Sequence, residues 1–245
     1  MSIGKQTTIS DGGKRAHSHR QTEIKEGKMK ITAAKLIRWS GLSAMAAGII
    51  FAGIQPIHPP DVLASVTTGT WAIITSLKLS MCFFFLLGIT GLYARQVEES
   101  GWLGLAGYLL FSLSWALQTG FVFAEVFILP LLATAAPNFV ESYLGVVNGS
   151  PGEMNIGALV PAYAVVGILY MLGGLVFGIA TFRARVLPRW PAGLLAVIAL
   201  MTPAAALLPH ATQRLAAGMP MGIAIAWLGY ALWSERRHPV PAPWP

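Results

Sequence analysis

The chain has 245 residues, of which 55% are hydrophobic and only 11% charged, with a formal net charge of +7. A soluble domain carries about 25% charged residues, so this chain lacks the polar surface needed to cover itself in water. Its length suits one or two soluble domains, but a mean hydropathy of +0.62 excludes that reading.

The first 34 residues are rich in Lys, Gly, Ser, Thr and Gln, and nine of the 17 Lys and Arg lie before residue 39. Such a segment cannot bury enough apolar surface to order itself, so residues 1–34 are expected to be a disordered basic tail. The tail runs straight into an apolar stretch, which makes anionic lipid headgroups its expected partner and nucleic acid an unsuitable one. Each basic residue near such a surface contributes about 1 kcal/mol. A polar lead of this length does not fit a cleavable signal peptide, so the first span is expected to act as its own insertion signal.

Six apolar segments follow, over about 36–55, 71–93, 103–129, 158–182, 192–209 and 215–233. Each is near the ~20 residues needed to cross a hydrocarbon core. Orientation follows from the Lys and Arg of the connections. One side receives fifteen, including Arg95, Arg183, Arg185, Arg189, Arg236 and Arg237, whereas the other holds only Arg214. The expected fold is therefore all-α, a polytopic transmembrane bundle of six spans over residues 35–234. Both termini are cytoplasmic, and a short Pro-rich tail follows over 235–245. Trp39, Trp102, Trp190 and Trp233 then fall at the cytoplasmic interface, where amphipathic rings anchor helices.

Small residues recur at helical spacing as Ala44, Gly48 and Ala52 in the first span, Gly174 and Gly178 in the fourth, and Gly218, Gly222 and Ala226 in the sixth. Between spans the contact must come from close backbone approach. These ridges suit packing within the chain better than a homodimer face, and the oligomeric state stays open. Prolines gather on the opposite, extracytoplasmic side. Pro161, Pro203 and Pro220 fall inside expected spans, where each frees a carbonyl that a neighbour or cavity water must meet. The outer half is expected to be kinked, with room for a vestibule. In the longest outer connection, Phe139, Val140, Tyr143, Leu144 and Val147 share one helical face and predict a short helix lying on the outer surface. Asn148-Gly149-Ser150 matches a glycosylation sequon, a pattern too common to weigh.

Ionisable residues within spans are read as functional by default, since each costs about 2.5–3.5 kcal/mol to insert. Here they are Lys78 in the second span and Glu125 in the third, both in the outer third of consecutive antiparallel helices, so an ion pair is geometrically natural. Ser114, Gln118 and Glu125 form one polar stripe, and Thr75 lies one turn from Lys78. These five make a candidate intramembrane polar pocket, for a bound substrate or a proton relay, or else a structural pair with Lys78 snorkelling outward. His58, Asp61, His210 and Arg214 form an outer polar rim. Histidine with the nearby Met219 and Met221 could bind copper, and two histidines could ligate haem, but neither has supporting spacing, so no metal and no cofactor is assigned. Cys82 is the one cysteine and reads as a buried packing residue.

No catalytic motif appears: no Gly-x-Ser-x-Gly, no His-Glu-x-x-His, no phosphate-binding glycine loop and no paired intramembrane acids. The enzyme reading is accordingly the weakest. The favoured one is a non-enzymatic protein that binds or moves a small apolar or amphipathic molecule in its outer half. The alternative is an accessory or assembly subunit of a membrane complex.

The stretch Tyr170-Met-Leu-Gly-Gly-Leu-Val-Phe-Gly-Ile-Ala-Thr-Phe-Arg-Ala-Arg-Val-Leu-Pro-Arg-Trp190 resembles a pattern in an uncharacterised family of six-helix bacterial integral membrane proteins. There a glycine-rich span ends in an Arg–x–x–Val-Leu-Pro-Arg-Trp turn before the next span. The resemblance is best over about 160–233 and looser over the first three spans. It implies a bacterial cytoplasmic membrane and a similar bundle, and carries no activity with it.

Overall fold

A computed structural model describes residues 31–149 and 152–235. The tail expected over 1–34 lies outside the described residues apart from 31–34. So do Ser150 of the sequon, Pro151, and all of the 235–245 tail except Glu235.

The described residues are helical, with no strand among them. Chain order gives α1 (Ala33–Ile54), α2 (Leu63–Val66), α3 (Gly69–Arg95), α4 (Val97–Phe127), α5 (Leu129–Leu132), α6 (Pro137–Asn148), α7 (Leu159–Ala184), α8 (Arg189–Ala205) and α9 (His210–Gln213). A π-helical turn (Arg214–Gly218) then leads into α10 (Met219–Ser234). Five helices are long and apolar enough to cross a membrane: α1, α3, α4, α7 and the π turn with α10. Their outward faces carry Ile49, Ile73, Leu87, Leu109, Ile168 and Ile223, each more than half exposed. Such a continuous apolar exterior marks the chain as a membrane protein.

The fifth expected span, 192–209, is the exception. Its helix α8 has 17 residues and stops at Ala205, a rise of about 25 Å at 1.5 Å per residue. Pro203 lies inside it and Pro209 just beyond, so backbone donors run out where the span was expected to continue.

The remaining prolines kink less than their positions suggested. Pro161 stands in the first turn of α7, and Pro130 and Pro137 stand at N1 or N2 of α5 and α6, where a missing N–H costs nothing. Pro220 is different. It has no N–H for the carbonyl of Ala216, and the turn just before it is π-helical rather than α-helical. A kink not anticipated occurs in α4 at Gly101, whose φ of 53° only glycine adopts readily; the span proper starts after it.

Close backbone approach orders the long helices. A Cβ on Gly41 would strike the carbonyl of Gly229, and one on Gly48 the carbonyl of Gly222, so α1 runs antiparallel against α10. In the same way Gly88 of α3 seats Ala44 of α1, Gly107 and Gly173 bring α4 and α7 together, and Gly178 admits Ala196 of α8. With α3 on α4 and α8 on α10, each long helix touches its sequence neighbours and the first is closed against the last. The main core lies among them, centred on Phe85, Phe111, Trp115, Phe177, Leu195 and Ile225. At the end near residues 97–101, Arg95 Nε donates to Glu235 at 2.7 Å and Arg38 Nε to the carbonyl of Trp233 at 2.7 Å.

A second core occupies the other end: Val66, Trp71, Phe121, Leu129, Val140, Tyr143, Leu144 and Val166. The helix expected on the outer surface is present as α6, but its apolar face is turned onto this core rather than outward. Tyr143 completes the attachment by donating its hydroxyl to the carbonyl of Phe121 at 2.9 Å.

Candidate functional site

Between the two cores the helices part around a cavity of about 330 Å³. Lys78 and Glu125 both line it. Glu125 is fully buried, and its Oε2 accepts a hydrogen bond from Lys78 Nζ. Its other oxygen, Oε1, is buried with no hydrogen-bond partner. Glu125 is fixed further by Trp71, whose Nε1 donates to its backbone carbonyl at 3.0 Å.

Three of the four residues expected to form a separate outer rim, His58, Asp61 and Arg214, join this same cavity. His58 Nε2 lies 3.4 Å from Lys78 Nζ, and His58 Nδ1 lies 4.0 Å from Asp61 Oδ1. Asp61 Oδ2 in turn faces Arg214 Nη1 at 3.6 Å. The result is a run of titratable groups from Arg214 through Asp61, His58 and Lys78 to Glu125. Burial pushes the Asp61 carboxyl up from its usual 3.8, with Lys78 and Arg214 pulling it back down. The π turn places Arg214, Ala217 and Gly218 on the cavity wall; π turns recur at functional positions because they re-aim side chains by one residue.

The other expected residues divide. Gln118 and Ser114 line the cavity, although Ser114 donates its hydroxyl back to the Phe111 carbonyl at 2.8 Å. Thr75 does not line it; its hydroxyl is buried and donates to the Trp71 carbonyl at 2.8 Å. His210 opens α9, and its side chain lies outside the described ones. No group of three His, Cys, Asp or Glu suited to a metal ion occurs among the described residues.

The deeper wall went unread from the sequence. Phe51 and Trp115 meet edge to face at 5.7 Å, Trp115 and Tyr170 at 6.0 Å, and Tyr163 stands nearer the charged end. The signal available was the seven-residue spacing of Tyr163 and Tyr170, which places both rings on one face of α7.

No family model matches the chain, and no curated protein or solved structure is detectably similar to it.

Proposed function

We propose that the protein is a six-span integral membrane protein of a bacterial cytoplasmic membrane, with both termini inside, that binds or moves a small apolar or amphipathic molecule. The anchor is the buried, partnerless Oε1 of Glu125 on the wall of a cavity walled mostly by apolar and aromatic side chains. Ligand sites combine such walls with a few convergent polar groups. In this reading α8 also crosses, as the fifth of six spans, its shortness met by local thinning of the bilayer, and the basic N-terminal tail lies on anionic headgroups. Among the described residues no constellation of acid, base and nucleophile supports an enzyme.

The direct Lys78–Glu125 contact favours a second reading, in which the pair ties α3 to α4 and the cavity holds only water. Unfolding of the purified protein, with and without a lipid extract from the host membrane, separates the two. A ligand-binding protein gains stability from the extract, and Glu125→Gln reduces that gain. A gain of equal size in wild type and Glu125→Gln would rule the binding role out.

A further inference from the structure

The cavity's chemistry discriminates among ligands, and this step rests on the binding role just proposed. Two acids, Asp61 and Glu125, and two bases, Lys78 and Arg214, line the space. They are already matched: Lys78 with Glu125, Arg214 with Asp61. A ligand ion would enter a site whose carboxylates each face a Lys or Arg, so no unmatched acid or base repays its lost hydration. Trp115 Nε1 and Arg214 Nε and Nη1 are buried there without hydrogen-bond partners, and so is the acceptor Glu125 Oε1. A carboxylate oxygen in an ion pair accepts and does not donate, so its complement is a donor that carries no charge, such as a hydroxyl.

The body of the ligand is set by the walls. Phe51, Trp115 and Tyr170 present rings at mutual angles of 88° and 69°, an arrangement that receives a further ring edge to face. About 330 Å³ sits at the small end of ligand pockets and suits one ring with a short alkyl arm. We infer that the ligand is an uncharged phenol-type molecule, its hydroxyl donating to Glu125 Oε1 and its ring lying against Phe51, Trp115 and Tyr170.

The test uses the full chain in detergent with 4-butylphenol as probe. Butylbenzene serves as the match without a hydroxyl, and 4-butylbenzoate and 4-butylbenzylammonium as the ionic matches. Two variants block the cavity. A Cβ at Gly167, on the wall, meets open space, so Gly167→Leu is compatible with the fold; Ala217→Leu enters from the π turn on another wall. Saturable binding of butylphenol is expected, at least about tenfold tighter than butylbenzene, as a hydrogen bond to a charged acceptor requires. At least one blocking variant should abolish it. Equal affinity for butylbenzene would overturn the hydroxyl assignment. Tighter, blockable binding of either ion would overturn the neutral class while leaving the binding role standing. If no probe binds in a blockable way, the binding role and the ligand class fall together.

Discussion

Trp71 Nε1 donates to the backbone carbonyl of Glu125 at 3.0 Å, so Glu125 is held from α3 both at its backbone and, through Lys78, at its side chain. The carbonyl lies in the last turn of α4, where intrahelical donors run out. Trp71→Phe keeps an aromatic ring at this buried position, removes the donor and leaves part of the indole volume unfilled. It is expected to cost about 1–3 kcal/mol in reversible unfolding, and an unchanged midpoint would show that the bond contributes nothing.

The ion pair gives a sharper result as a cycle. Removing either partner alone, by Lys78→Met or Glu125→Leu, strands a buried charge and is expected to cost about 3–5 kcal/mol. The double variant replaces the pair by apolar volume and should be more stable than either single one. Losses that simply add would mean the two side chains do not depend on each other.

Glycine substitutions should divide according to what a Cβ would meet. Gly48→Ala and Gly222→Ala drive a methyl into the facing helix backbone and are expected to cost about 1–3 kcal/mol each. Gly120→Ala, in the interior of α4 with open space beside it, should gain about 0.5–1 kcal/mol from the stiffer chain. Equal effects at the three positions would contradict the packing described.

The Asp61 carboxyl is raised above 3.8 by burial, so the folded protein holds that proton more tightly than the unfolded chain. Linkage then makes stability decline as pH climbs from 3.8 through the raised value. Comparing unfolding of wild type and Asp61→Asn across that range isolates the residue, since asparagine cannot titrate. The wild-type decline should be steeper; parallel curves would remove Asp61 as its source.

Topology can be read chemically because Cys82 is buried. An impermeant maleimide applied to right-side-out vesicles should label Glu153→Cys, in the connection proposed to lie outside, and not Glu99→Cys, beside the kink at Gly101. The opposite pattern would invert the proposed orientation.

Much of the fold was legible because bilayer physics is a coarse filter: twenty apolar residues are visible in a sequence, and Lys78 and Glu125 stand out because little else in the spans is charged. What escaped was three-dimensional. Asp61 and Arg214 lie 153 positions apart in the chain, and nothing in either neighbourhood marks the other as its partner. Thr75 looked like a pocket residue by spacing, yet its hydroxyl turns back to its own helix, an option open to any buried threonine. The short α8 was hidden because Pro203 reads as a kink inside a span that continues to Pro209, whereas the helix stops at Ala205. The apolar face of α6 was correctly seen, but a lipid surface and a protein core attract the same stripe.

The seam between Gly41–Gly229 and Gly48–Gly222 joins the first long helix to the last. During synthesis α1 must therefore wait, with its small-residue face unmatched, until α10 has entered the bilayer. The wall residues contributed by the π turn arrive at the same late moment. A chain interrupted before Met219 would leave the small-residue face of α1 without the helix that covers it, so an incomplete product differs from a finished one on that face.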